Sequence, residues 1–332
     1  MPTLDAPWLH QAATQRPATG EAAAESRIAE LHGAETAALL AGGAAAATQT
    51  VCALTNPGGH VIASAGISGP VREFLEDSFR RLGRTVSYTD CADVDAVAGA
   101  VRPETQLIVT ESLSDPAMRL IPVNELAELA HSTDLQLVVD NTGLSPALLR
   151  PLDLGATVVV ETVDPYLDDH AALDASVVCG PRRLVERVTA QAAHAGGRPD
   201  GWTDRLLAQA LRTLDLRMAA HTANADQVAA FLRGHPAVTV VHRPSFDDSP
   251  WAIETHGGFG GLLSFESRTP LAVPDQPGPV SIPVLRSHAG VSARRREQAG
   301  VTPTLVRVAA GIDSPKPLIA LLQGLLAEKG AA

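Results

Sequence analysis

From residue 60 to residue 160, short runs of Val, Ile and Leu alternate with helical stretches, and that alternation constrains the fold more than any other feature. The runs are His60–Ser64, Thr85–Tyr88, Gln106–Thr110, Leu135–Val139 and Thr157–Val160. They show no in–out alternation of polar residues, as expected of strands covered on both faces. Val71–Leu82, Asp93–Val101 and Val123–His131 read as the intervening helices, the first stopping at Gly83. Ala147–Arg150 has room for only a helical turn before Pro151. Upstream, Ala22–Leu31 reads as a helix stopped by Gly33, and Gly43–Leu54 as a helix of small residues before the Asn56–Gly59 turn. The pattern predicts an α/β fold with a parallel sheet, whose ligands sit beyond the carboxyl ends of the strands.

Near Gly196–Trp202 the pattern changes. A helical run from Thr203 to Arg233 carries Leu207, Leu211, Leu214, Met218 and Val228 on its apolar side. Gly257–Gly261 then leads into a strand at Leu262–Glu266. Thr269–Pro283, rich in proline, reads as a loop, and a strand at Leu305–Ala309 and a helix at Pro317–Glu328 follow. A domain boundary is expected near residue 200, with residues 21–200 as a large domain and residues 201–332 as a smaller one. The chain shows no internal repeat.

Composition narrows the partners. In 332 residues, 26 Lys+Arg face 37 Asp+Glu, a net charge of −11, which disfavours nucleic acid or an anionic membrane as partner. Cys52, Cys91 and Cys179 are far apart and form no CxxC pair, so neither a disulfide framework nor a thiolate metal site is expected. Met1–Asp5 shows no basic segment followed by an apolar stretch, so a secretory signal is not expected and a cytoplasmic location is. Thr36–Val71 lacks charged residues, but it is built of Ala, Gly and Thr and interrupted at Asn56–Gly59, too weak for the roughly 20 apolar residues of a span. Lysine occurs only at Lys316 and Lys329.

Several stretches, in order, are similar to one family. They are Leu31–Ala37 (LHGAETA), Asn56–Ile62 (NPGGHVI), Glu111–Pro116 (ESLSDP), Val138–Thr142 (VVDNT), Arg150–Gly155 (RPLDLG), Gln209–Ala225 (QALRTLDLRMAAHTANA), Gly258–Glu266 (GFGGLLSFE) and Ala299–Asp313 (AGVTPTLVRVAAGID). Together they resemble the Cys/Met-metabolism, pyridoxal-phosphate-dependent group that includes cystathionine γ-synthases, cystathionine γ-lyases and methionine γ-lyases. The resemblance implies fold type I, a large domain with a mainly parallel seven-stranded sheet, a small C-terminal α/β domain, and dimers pairing into tetramers. It also implies an N-terminal arm, shortened here to residues 1–20.

At the chemistry the chain departs from the family it resembles. Thr162-Val163-Asp164-Pro165-Tyr166-Leu167-Asp168-Asp169-His170 aligns with the segment bearing the cofactor lysine, and Pro165 stands in the lysine's place. A Schiff base needs a primary amine, which proline lacks, so covalent pyridoxal phosphate is not expected. Ser68-Gly69-Pro70 stands where a tyrosine stacks on the cofactor ring. Ala41-Gly42-Gly43-Ala44 stands where the phosphate cup carries hydroxyls, leaving Gly42, Gly43 and Ala44 as backbone donors at a helix N-terminus. In the arm, Ala13 and Gln15 replace a tyrosine and an arginine, and Asp115 replaces an asparagine beside the cofactor's phenolic oxygen. The substrate-pocket segment between Glu266 and Arg286 is shortened.

Three features match. Asp140 corresponds to the aspartate paired with the pyridine nitrogen, Thr162 to a phosphate-binding serine, and Arg307 to the arginine that grips a substrate carboxylate. Each also has a plain structural reading: a cap for the Asn141–Thr142 turn, a strand-end hydroxyl, and a partner for a core carboxylate. Asp164, Asp168, Asp169 and His170 form an acidic cluster that reads as a solvated loop, and no metal site is expected. Arg294-Arg295-Arg296 reads as a solvated or inter-subunit patch. Gly257–Gly261 precedes a strand and is no phosphate loop.

The expected function is that of a non-catalytic relative, pairing as homodimer or tetramer or with an intact family member. Two alternatives stay open: a lyase or transferase of sulfur amino acids working by a lysine-free route, and a carboxylate-ligand binder or enzyme with a rebuilt pocket.

Overall fold

The structure, a computed structural model, describes residues 23–327 except 68, 169–172, 196, 246–254, 256, 274–277, 288, 290–292, 294–295 and 297–299. Ala13, Gln15, Ser68, Asp169, His170, Arg294, Arg295 and Lys329 therefore lie outside the described residues.

The first part runs α1 (Ala23–His32), β1 (Thr36–Ala41), α2 (Ala45–Leu54), β2 (His60–Ser64), α3 (Gly69–Glu76), α4 (Ser78–Arg81) and β3 (Thr85–Thr89). It continues through α5 (Val94–Gly99), β4 (Thr105–Glu111), α6 (Val123–Ser132), β5 (Gln136–Asp140), α7 (Ser145–Leu148), β6 (Val158–Thr162), β7 (Ala175–Gly180) and α8 (Arg182–His194). The strands form one seven-stranded sheet ordered β1-β7-β6-β5-β4-β2-β3. Along β2 to β6 all pairings are parallel, whereas β7 runs antiparallel to both β1 and β6.

Strand residues alternate between two cores, as a period of two requires. Ile62, Ile108, Leu137, Val139, Val159 and Val177 face one side with Ile28 of α1 and Leu126 of α6. Val61, Leu107, Val109, Val138, Val158 and Val178 face the other with Val51 of α2, Leu75 of α3 and Val188 of α8. Burial of each such side chain is worth about 1.5–3 kcal/mol before entropy is counted, so both faces need their helices.

The structure adds three refinements to the expected elements. The Val71–Leu82 helix is broken at Asp77 into α3 and α4. Thr36–Ala41 (TAALLA) is a strand despite its alanines, because β7 pairs with it along its full length. The helical run from Thr203 becomes α9 (Gly201–Ala210), a 3-10 turn at Leu211–Thr213, and α10 (Leu214–Arg233).

A four-stranded sheet ordered β10-β11-β9-β8 follows, from β8 (Val238–His242), β9 (Leu262–Ser267), β10 (Val280–Ser281) and β11 (Leu305–Ala309). α11 (Lys316–Ala327) closes the fold. Leu207, Leu211, Leu214 and Met218 still pack with the first sheet's core. From Ala225 onward, α10 packs with Leu263, Phe265, Val306 and Leu322 in a core of its own. One buried arginine ties the parts together, and a second braces the glycine run within the second part. Arg217 donates to the carbonyls of Tyr166 (2.5 Å) and Ala210 (3.0 Å), and Arg243 to those of Gly260 (2.8 Å) and Leu262 (3.0 Å).

The glycine run serves this junction. A Cβ on Gly261 would stand 2.5 Å from the Ala310 carbonyl oxygen, so only glycine allows that approach. Among the described residues no helix is long and apolar enough to cross a membrane.

Candidate functional site

Six of the seven strands point the same way, and their carboxyl ends bring Gly42, Ser64, Glu111, Asp140 and Thr162 to one edge of the sheet. Because β7 is reversed, it begins at that same edge. The register that pairs Ala41 with Ala175 sets Asp174 beside Gly42. The site is therefore assembled from loops after β1, β2, β4, β5 and β6 and from the loop before β7.

At the start of α2 the chain supplies no side-chain cap of its own: Ala44 occupies the cap position. The caps come from across the sheet. Gly42 N–H donates to the Asp174 carbonyl (2.9 Å), and Gly43 N–H donates to Asp174 Oδ1 (2.8 Å). Ala46 N–H donates to Ser176 Oγ (2.8 Å), whose hydroxyl donates to the Gly42 carbonyl (2.7 Å). Ala45 N–H donates to the Gly42 carbonyl at 3.1 Å.

Asp140 ends β5 half-buried. Its Oδ1 accepts from Thr142 N–H (3.0 Å) and from the Thr142 hydroxyl (2.5 Å), and Thr142 Oγ1 accepts from Thr162 N–H (2.9 Å). Burial pushes its carboxyl up to about 6, against the two Thr142 bonds and with added repulsion from Glu161. The Thr162 hydroxyl is directed at the Asp164 carbonyl oxygen. Glu111 ends β4 buried, with no hydrogen-bond partner for Oε2 among the described residues. Burial pushes it up to about 7; the Ser64 bond opposes this, and the Asp140 and Asp115 carboxylates add to it.

Pro165 follows a cis peptide bond to Asp164 just beyond β6. The next residue, Tyr166, is buried, and its hydroxyl accepts from Gly261 N–H at 2.8 Å. The segment after β6 is thereby pinned to the second sheet. Asp168 is also buried, its Oδ2 accepting from Leu173 N–H at 2.9 Å. The expectation that the whole acidic cluster is solvated is therefore wrong for Asp168, because Arg217 and the Leu173 backbone close over it; Asp164 is exposed. No group of three or more His, Cys, Asp or Glu able to hold a metal occurs among the described residues.

Arg307 reaches the same edge from β11, where its Nε pairs with Asp115 Oδ2 at 2.8 Å. Beneath the site, His32 Nε2 lies 3.3 Å from Glu161 Oε1, which also accepts from Asn141 Nδ2 at 2.8 Å. Burial opposes the charged His32 ring, but the Cys179 sulfur and the Glu161 carboxylate outweigh it and hold it up at about 10. A cavity of about 570 Å³ runs along the outer edge of β1, lined by Glu25, Leu39, Thr189, Arg198, Asp200 and Asp204, away from these strand ends.

The structure thus brings Gly42, Gly43, Ala44, Asp140, Thr162 and Pro165 to one edge, and Arg307 to it from the second sheet. Sequence reasoning missed Asp174, Ser176 and the His32–Glu161 pair. The available signal for Asp174 was an acidic residue directly before a fully buried strand. The donors do not fit a phosphate monoester as they stand. Gly43 N–H faces a carboxylate, Ala46 N–H a hydroxyl, and the Thr162 hydroxyl a carbonyl. The only lysine among the described residues, Lys316, opens α11.

The family model for Cys/Met metabolism PLP-dependent enzymes matches residues 15–276. An L-methionine gamma-lyase of Pseudomonas putida is 31% identical over 324 residues, covering 91% of this chain and 81% of the relative. An O-succinylhomoserine sulfhydrylase of Pseudomonas aeruginosa is 32% identical, covering 91% and 80%. The crystal structure of a cystathionine gamma-lyase from Lactobacillus plantarum complexed with L-serine superimposes with a TM-score of 0.86 at 29% identity, covering 94% of this chain and 87% of that one. The model match covers the whole first sheet and β8 and β9 of the second, the relatives and the superposed structure cover at least nine-tenths of the chain, and the chain belongs to the Cys/Met metabolism PLP-dependent enzyme family.

Proposed function

We propose that this chain is a non-catalytic member of its family, a subunit or scaffold that pairs with itself or with an intact relative. One observation carries the reading: the segment leaving β6 reads Asp164-Pro165-Tyr166, with no amine where the resemblance puts the cofactor lysine. Pyridoxal phosphate is the family's cofactor, and the chemistry it supplies is stabilisation of negative charge developing on an amino-acid carbon. That chemistry needs a nearby base as well as an anchor. Neither role can be taken by a proline ring nitrogen already bound in the peptide. What remains at this edge holds the chain's own loops. Asp140 fixes the turn after β5, Thr162 the turn after β6, and Tyr166 the contact with Gly261. Retention of the domain junction beside an altered site supports a role in assembly.

The test is borohydride reduction of the purified protein in the presence of pyridoxal phosphate, followed by mass spectrometry and by assay on sulfur amino acids. No adduct and no turnover are expected. A reducible adduct mapped to one residue, with turnover, would overturn the reading. Light scattering tests the pairing: a stable monomer at micromolar concentration, with no co-purifying relative, removes the subunit role.

A further inference from the structure

We infer that Asp174 is a built-in anion that occupies the place of the cofactor's phosphate at the N-terminus of α2. This goes beyond the functional reading above, which rests on the missing amine alone; it concerns a different atom set and could hold in a chain that had kept its lysine.

The argument starts from what α2 lacks. A helix N-terminus leaves N–H groups without partners and carries a partial positive charge, so it is stabilised by an anion or a capping side chain. Ala41-Gly42-Gly43-Ala44 offers no capping oxygen, and Ala44 makes no side-chain cap bond. In a chain whose cup binds a phosphate, the ligand satisfies those donors. Here Asp174 Oδ1 accepts from Gly43 N–H at 2.8 Å, while the Asp174 carbonyl accepts from Gly42 N–H at 2.9 Å. Ser176, two residues on in β7, accepts from Ala46 N–H at 2.8 Å. Acid and hydroxyl thus arrive on one strand, directed by the antiparallel β1–β7 register.

The geometry is specific to an anion seat. A Cβ added to Gly43 would stand 3.8 Å from both Asp174 Oδ1 and the Thr162 methyl, so the carboxylate and the end of β6 both border the cup. Gly42 has φ 95°, the left-handed conformation that turns successive N–H groups toward one point. A phosphate dianion placed there would have to displace the carboxylate or share the donors with it, and two like charges at contact distance repel strongly at a protein surface. The second anion position of the site is filled in the same manner, Asp115 pairing with Arg307 at 2.8 Å. Both places that would hold an acidic ligand carry acids of the chain itself.

Asp174 is exposed, so its removal should leave the fold intact. The experiment titrates inorganic phosphate, pyridoxal phosphate and pyridoxal into the wild type, Asp174→Ala and Asp174→Asn by calorimetry, with melting temperature as a second readout. The wild type should show no saturable binding of inorganic phosphate at millimolar concentration. Asp174→Ala should gain affinity for phosphate and pyridoxal phosphate by at least about tenfold, but none for pyridoxal, and phosphate should raise its melting temperature. Asp174→Asn, which keeps an acceptor and loses the charge, should fall between. Two results would overturn the inference: wild type binding phosphate as tightly as Asp174→Ala, or no phosphate binding by either variant. A reducible pyridoxal adduct would instead strike the functional reading and leave this one standing.

Discussion

The junction between the two sheets and the strand-end site use the same kinds of charged group under opposite conditions. At the junction, Arg217 is 7% exposed and donates to the backbone carbonyl of Tyr166, 51 residues earlier in the chain. At the site, Arg307 and Asp115 keep side-chain exposures of 30% and 39%, and Asp174 is exposed. A buried cation is costly to strand, so the junction has one arrangement. A half-exposed carboxylate on a backbone N–H is exchangeable, because water can take over either partner. The junction is thus a fixed structural device, whereas the site is held closed by contacts that a single substitution could open without unfolding the chain.

The sharpest way to break this comparison is Arg217→Met. It removes the donors for the Tyr166 and Ala210 carbonyls and leaves both without that partner, so unfolding free energy should fall by about 3 kcal/mol. A loss under 1 kcal/mol in chemical denaturation would show that the junction is as replaceable as the site.

Next comes Glu111→Gln, read against pH. The Glu111 carboxyl is raised from 4.5 to about 7, so the folded state holds its proton more tightly than the unfolded chain does. Its stabilising contribution is therefore fully present below the ordinary value and is lost as pH rises through about 7. The variant, neutral throughout, should gain on the order of 2 kcal/mol over wild type at alkaline pH and nothing at acid pH. Melting curves whose difference does not change with pH would place Glu111 outside any charged site.

The smallest effect is expected from Asp115→Asn. It breaks an exposed pair, and stability should change by less than about 1 kcal/mol, fading with added salt. A larger and salt-independent loss would move Arg307 from the site to the junction class.

Much of this molecule was legible in one dimension. Short apolar runs predicted β2, β4, β5 and β6 to within two residues, because strands buried on both faces must be continuously apolar whatever surrounds them. Pro165 excluded a lysine's chemistry at that position in any fold, since a ring nitrogen within the peptide chain is no amine. The ordered framework motifs indicated the family, which the relatives and the superposition establish.

What tertiary structure alone decided is direction and distance. β7 went unread, and its reversal is what carries Asp174 to the ligand end of the sheet; a parallel strand would have delivered it to the opposite edge. Local propensity cannot specify strand direction, because each strand's pairing depends on neighbours dozens of residues away. Asp168 looked like part of a solvated loop until Arg217, 49 residues later, covered that loop. His32 and Glu161, each ordinary in its own stretch, become a buried ion pair only when α1 packs against the sheet. The residue types were set by the sequence, whereas the meeting of donors with acceptors was set by how the sheet closed.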